Sequence, residues 1–213
     1  MRDRSTPLTD ADTAALDWER MGGLIPAIVQ DPRSGRVLML GYMNKDALAA
    51  TLKSGLATFF SRARKQLWEK GETSGNRLKV RAIFEDCDAD ALLVLADPEG
   101  PTCHLGTPSC FGAEITGPGW LAELSEIISQ RARSGDAESY THRLLDEGPA
   151  GIAQKIGEEG VEVALAAVTR DKSACAEEAA DLLYHLGVLM QARSFGWEDV
   201  IDVLRERHAK ASK

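Results

Sequence analysis

The chain has 213 residues, 44% hydrophobic and 27% charged, a balance typical of soluble globular proteins that excludes disorder, collagen-like repeats and a coiled coil. Lys+Arg 25 against Asp+Glu 33 leaves a net charge of -8, which opposes attraction to nucleic acid or an anionic membrane, so neither is expected as a partner. No apolar run of about 18 residues could span a bilayer, and the first residues lack the apolar segment of a secretory signal, so a cytoplasmic location with reduced thiols is expected.

In chain order, Leu24 to Gln30 is an apolar run closed by the turn cluster Asp31-Pro32-Arg33-Ser34-Gly35, and Val37 to Tyr42 resumes it, which predicts a hairpin. Asn44 caps a predicted short helix with Ala47, Leu48 and Leu52 on one face and Gly55 at its end. Ala57 to Ser61 and Ala91 to Ala96 read as strands. Between them Arg77, Lys79 and Arg81 alternate with Leu78, Val80 and Ala82, a period of two that sets three cations on one strand face. The glycine- and proline-rich stretch 112–119 marks a joint. Beyond it, Leu121 to Arg133, Tyr140 to Glu147, Ile152 to Arg170, Ala174 to Phe195 and Trp197 to Ala209 all carry helical spacing. Two domains are therefore expected: an α+β, strand-rich domain over 1–117 with net charge -2, and an all-α domain over 118–213 with net charge -6.

Cys87, Cys103 and Cys110 cluster in the strand-rich half, while Cys175 stands alone in a predicted helix. Three thiolates and one open position suit a catalytic zinc, since a closed structural site takes four protein ligands; three buried, inert cysteines are the competing reading. His104 stands next to Cys103, placed either as a fourth ligand or as a base for a water. Asp86, Asp88 and Asp90 interleave with Cys87, so extended backbone would aim three carboxylates to one side and the thiol to the other. Hard oxygen ligands of this kind suit magnesium. A calcium loop is rejected because Ala91 stands where its glycine is required. The loop Trp68-Glu69-Lys70-Gly71-Glu72-Thr73-Ser74-Gly75 offers amides, hydroxyls and a lysine that can cradle phosphate, with Arg62 and Arg64 just upstream.

In the second half, Glu158, Glu159 and Glu162 share helical spacing, followed by Glu178 and Asp181 on the next helix. Glu159 fills the missing place in the apolar stripe Ile152, Ile156, Val163, and Glu178 lies one turn before Leu182, so both are expected to point inward. Inward carboxylates must bind metal or shift their protonation, because burying an unpaired charge is too costly. No P-loop pattern is present.

The runs FFSRARKQLWEKGETSGN, DCDADALL and CHLGTPSCF resemble, in order and spacing, phosphoribosyl-AMP cyclohydrolase of histidine biosynthesis over about residues 20 to 112. The resemblance implies zinc held by Cys87, Cys103 and Cys110, magnesium held by Asp86, Asp88 and Asp90, and a homodimer with active sites between subunits. Substrate contacts are expected from Arg62 and Arg64 and from Trp68, Lys70, Glu72, Thr73 and Ser74 of the phosphate-cradling loop, and His104 is expected as the catalytic base, because three thiolates leave zinc a weak acid. Leu105 and Thr107-Pro108 depart from the expected pattern, which has a threonine and more polar residues there. The runs SYTHRLL, IAQKIGEEGVEV and EEAADLLYHL resemble phosphoribosyl-ATP pyrophosphatase, a MazG-like helical pyrophosphohydrolase, over about residues 120 to 210. That resemblance implies magnesium held by Glu158, Glu159, Glu162, Glu178 and Asp181; Glu159 is also expected to be catalytic, and Lys155, one turn from it, to meet the triphosphate. A bifunctional enzyme of histidine biosynthesis is therefore expected, acting on phosphoribosyl nucleotides. The competing classes are a scaffold in which one half is catalytically dead, and a broad nucleotide pyrophosphatase fused to a nucleobase deaminase.

Overall fold

The computed structural model describes residues 2–20, 22–112, 114–136 and 138–211. It divides into two compact units, Met1–Thr116 and Gly117–Lys213.

In the first unit, β1 (Ile25–Gln30) and β2 (Val37–Met43) form the expected hairpin. Its turn closes through Gly35, at φ 71, and through Asp31, whose buried carboxylate accepts from the Arg33 amide and the Ser34 hydroxyl. The helix α1 (Lys45–Ser54) ends as its sequence predicts: Asn44 accepts from the Ala47 amide at 2.8 Å, and Gly55 adopts the left-handed conformation that stops it. β3 (Thr58–Ser61) and β4 (Gln66–Glu69) make a second antiparallel pair, followed by β5 (Leu78–Glu85) and β6 (Leu92–Pro98). The main sheet runs β2-β1-β6-β5, with β1 parallel to β6 and the other neighbours antiparallel. Pairing of β1 with β6 begins at Ala27, so the missing N–H of Pro26 falls outside that ladder.

One sheet face carries the core, with Ile25, Ala27 and Val29 meeting Leu38, Leu48, Phe59, Ile83 and Val94. Gly41 sits mid-strand because a Cβ there would lie 2.3 Å from the Phe59 ring. The opposite face is unusual for a protein surface. Leu40, Ile28, Leu93 and Phe84 stand in register across all four strands, and the first three are 45%, 38% and 36% exposed.

Three expectations need correction here. β4 was hidden in what reads as a loop, since Gln66-Leu67-Trp68-Glu69 lacks apolar alternation. The three cations expected on one strand face do not all lie on β5, since Arg77 precedes it, and each meets an acid: Arg77 meets Glu69 at 3.4 Å, Lys79 meets Glu99 at 2.6 Å and Arg81 meets Asp97 at 2.6 Å. Arg81 also occupies a bulge between Val80 and Ala82, which breaks the period of two. Finally, residues 86–90 form a turn and bend rather than extended backbone, with Ala89 left-handed at φ 60.

In the second unit, α2 (Trp120–Ser134), α3 (Tyr140–Thr169), α4 (Lys172–Arg193) and α5 (Trp197–Ala211) follow one another. α3 is two helical segments broken at Gly148, at φ 76, where Pro149 starts the second, a position that needs no amide hydrogen. Ser139 caps α3 and Asp171 caps α4. The core joins Ile128, Leu144, Ile152 and Val188 from α2, α3 and α4, and a Cβ on Gly187 would come within 2.9 Å of Ile128 Cδ1.

Candidate functional site

The first unit opens a cavity of about 660 Å³, within the range of small-molecule sites. Its walls are the β4 end with the loop that follows, and the segment 101–110. Of the expected substrate residues, Arg64, Trp68, Lys70, Glu72, Thr73 and Ser74 all line it; Arg62 does not, and its guanidinium instead lies 4.0 Å from the centre of the Tyr42 ring.

The loop is shaped from within. Gly71, at φ 89, has its missing Cβ position 2.5 Å from the Asn76 backbone, so no larger residue fits. Lys70 anchors both ends, its amide donating to the Ala57 carbonyl and its Nζ to the Asn76 carbonyl at 3.0 Å. Burial pushes the Lys70 ammonium down, against the opposing influence of Cys110 and Cys103. Trp68 is fixed by the Phe59 ring at 5.1 Å.

Cys103, Cys110 and His104 face the same cavity. A tight turn holds Cys103, whose amide donates to the Thr107 carbonyl while its own carbonyl accepts from Gly106; the Cys110 amide donates to Leu38 of β2. Hydrogen bonds from the Leu105 amide and the Thr107 side chain hold the Cys103 thiol below its usual range. The partly desolvated Cys110 thiol is pushed up, first by burial and then by its neighbour Cys103. His104 Nδ1 stands 3.9 Å from Cys103 Sγ.

Cys87 is not among the residues that line this cavity. It belongs to a separate group, with ligand atoms of Asp86, Cys87 and Asp88 within 4.8 Å of one another. The turn therefore puts the thiol beside the carboxylates rather than opposite them, with Cys87 Sγ 3.9 Å from Asp88 Oδ1. Asp86 Oδ1 accepts from the amides of Asp90 and Ala91, closing the turn. Asp88 and Asp90 both meet Arg20, Asp90 at 3.2 Å, and this guanidinium holds the Asp88 carboxyl below its usual range.

In the second unit the acids of α3 and α4 converge. Glu159, Glu178 and Asp181 have ligand atoms within 4.8 Å of one another. The Glu159 and Glu178 side chains are only 14% and 16% exposed, as the apolar stripe predicts. Glu162 joins them: the charge of Glu178 and a hydrogen bond with it push the Glu162 carboxyl up. Arg170 meets Glu178 at 2.7 Å. Glu158 is turned away, accepting from Lys155 at 2.7 Å and Gln154 at 2.9 Å, and the Lys155 contact holds its carboxyl down.

Behind these acids lies a polar group that sequence reasoning did not single out. His185 is buried, with Nδ1 2.8 Å from the Asp181 carbonyl and 3.7 Å from Glu159 Oε1, and Nε2 3.0 Å from the Tyr140 hydroxyl. Thr141 and Tyr184 share a hydrogen bond of 2.7 Å beside it. The only sequence signal was their place in the runs SYTHRLL and EEAADLLYHL.

Comparison with known proteins matches both units in order. Residues 39–112 match the family model of phosphoribosyl-AMP cyclohydrolase, and residues 121–208 that of phosphoribosyl-ATP pyrophosphohydrolase. The chain is 50% identical over 203 residues to the histidine biosynthesis bifunctional protein HisIE of Yersinia pestis, covering 95% of this chain and 100% of that one. To the proteins of the same name from Salmonella typhimurium strain LT2 and Escherichia coli strain K12 it is 52% identical over 201 residues, covering 94% of this chain and 99% of each. The chain belongs to the HisIE family of bifunctional histidine-biosynthesis enzymes. The strand-rich unit carries the cyclohydrolase domain and the helical unit the pyrophosphohydrolase domain, so the protein is a hydrolase with both activities. Neither half is a bare scaffold. Among the described residues, no helix is long and apolar enough to cross a membrane.

Proposed function

We propose that the two sites act in succession, in reverse chain order. The helical domain, over 118–213, releases pyrophosphate from phosphoribosyl-ATP, and the strand-rich domain, over 1–117, opens the adenine ring of the resulting phosphoribosyl-AMP between N1 and C6. Both would work in the cytoplasm. The observation that carries this reading is the pairing of two different donor sets in one chain: thiols beside the loop of Lys70, Thr73 and Ser74 in one cavity, and converging carboxylates in the other unit.

The donor chemistry fits the expected metals. Soft thiolates at Cys103 and Cys110 suit zinc, while Asp86, Asp88 and Asp90, and Glu159, Glu162, Glu178 and Asp181 with Glu158 nearby, suit magnesium. Zinc, when bound, supplies a water of lowered pKa, and magnesium neutralises phosphate oxygens. The residues do the rest. With Nδ1 of His104 turned to Cys103, its Nε2 would accept a proton from the water that attacks C6, an electron-poor carbon because N1 carries the ribose. Three thiolates make zinc a weak acid, so such a base is needed. Lys70, Thr73, Ser74 and Arg64 would hold the phosphate, and Trp68 offers an apolar wall. In the helical domain Lys155 would leave Glu158 for the triphosphate, and Glu159 would orient the attacking water. Arg20 would have to withdraw from Asp88 and Asp90 before a cation could take its place.

The cavity holds two of the three expected thiols, so we read the third as coming from Cys87 of a second copy. The apolar row Leu40, Ile28, Leu93 and Phe84 supports a homodimer, because the first three expose large side chains in register on one sheet face. The test is Cys110→Ser. The variant should lose zinc by elemental analysis and accumulate phosphoribosyl-AMP, while zinc retained with full ring opening would sink the ligand assignment.

A further inference from the structure

His185 of α4 is 5% exposed, and both its ring nitrogens are engaged. Nδ1 lies 2.8 Å from the Asp181 carbonyl oxygen, which can only accept, so Nδ1 carries the proton. In the neutral ring Nε2 is then the accepting nitrogen, and the Tyr140 hydroxyl 3.0 Å away donates to it. The protonated Nδ1 also faces Glu159 Oε1 at 3.7 Å. The ring is wedged edge-on between two tyrosines, Tyr140 at 6.0 Å and Tyr184 at 5.3 Å between centroids.

A helix histidine bonding the carbonyl four residues back is commonplace packing. Here that carbonyl belongs to Asp181, and the same N–H looks across to Glu159 on the other helix. The imidazole therefore bonds the backbone of one acid-bearing residue on α4 and faces, at 3.7 Å, the carboxylate of another on α3. Tyr140 stands at the start of α3, directly after its Ser139 cap, so it fixes the ring from the far side.

We propose that His185 is a positioning residue of the pyrophosphohydrolase site: its Nδ1–H sets Glu159 and the Asp181 turn at their mutual spacing, and Tyr140 locks the ring in that tautomer. The proposal rests on the reading of Glu159, Glu178 and Asp181 as cation ligands. Outer-shell partners that orient a metal ligand typically contribute about 10- to 100-fold in metal affinity.

Two amide substitutions separate positioning from packing. The amide N–H of His185→Asn stands near the place of Nδ1, and that of His185→Gln near Nε2. Manganese is titrated into the full-length protein without nucleotide and followed by electron paramagnetic resonance, with Glu159→Gln marking the signal that belongs to the helical domain. His185→Gln should weaken that manganese binding by about 10-fold or more, His185→Asn should restore most of it, and Tyr140→Phe should fall between. Thermal unfolding of the same variants reports packing. If unfolding temperatures fall while manganese affinity is unchanged, or if Asn and Gln behave alike, His185 is only a satisfied core histidine and the proposal is overturned. If Glu159→Gln itself leaves the titration unaltered, the cation-ligand reading fails and takes the proposal with it.

Discussion

A cyclohydrolase site divided between subunits makes a quantitative prediction about mixed dimers. Cys103 and Cys110 face one cavity, and Cys87 lies in a separate turn with Asp86 and Asp88. Cys87→Ala removes the thiol a chain lends to its partner, and Cys103→Ala removes one from the chain's own cavity, so either variant alone should lack a complete site. In a heterodimer of the two, the cavity of the Cys87→Ala chain receives an intact Cys87 from its partner and has all three thiols, while the other cavity lacks two. Random pairing makes about half the dimers mixed, each with one site of two complete, so roughly a quarter of wild-type ring opening should return. The assay is consumption of phosphoribosyl-AMP by an equal, co-refolded mixture, with mixed dimers counted by native mass spectrometry. A site built within one chain predicts no recovery at any ratio. Mixed dimers present without activity would refute the shared site.

The acid cluster of the helical domain should register in its pH dependence. Glu162 titrates above its usual value because of Glu178, so its contribution to stability is present while it is protonated and is lost as pH rises through that elevated value. In chelator, the helical circular dichroism of Glu162→Gln should therefore melt with less loss than wild type as pH rises above the usual carboxylate range, and identical pH dependence would contradict the repulsion. Separately, expressing 1–116 and 117–213 as independent chains should give one strand-rich and one helical spectrum, each with its own activity; two unfolded fragments would show that the units need each other.

How far the fold is legible depends on whether its signals are local. α1 is readable to its ends because Asn44 and Gly55 act within one turn of the helix they bound. The inward direction of Glu159 is equally plain, since a gap in the stripe Ile152, Ile156, Val163 needs only neighbours on the same helix. β4 escapes because none of its four residues is fully buried and its pairing with β3 is what makes it a strand. The alternation of Asp86, Asp88 and Asp90 misleads for a related reason: Asp86 bonds the amides of Asp90 and Ala91 and folds the segment into a turn, a side-chain choice that periodicity does not record. Glu158 and Arg62 show the same limit. Each fits its motif, yet Lys155 and Tyr42 set where their charged ends lie. His185 draws its meaning from Tyr140, 45 positions away, and no spacing rule reaches that far.

We propose that one chain carries two separate hydrolytic sites working on consecutive phosphoribosyl nucleotides. It is tested most directly by giving Glu159→Gln each substrate in turn and following pyrophosphate release and ring opening independently. Pyrophosphate release from phosphoribosyl-ATP should fall on the order of 100-fold or more, as expected for loss of a carboxylate that handles the attacking water, while ring opening of phosphoribosyl-AMP stays at the wild-type rate. A variant that folds normally yet loses both activities together would contradict the assignment of the two reactions to independent sites.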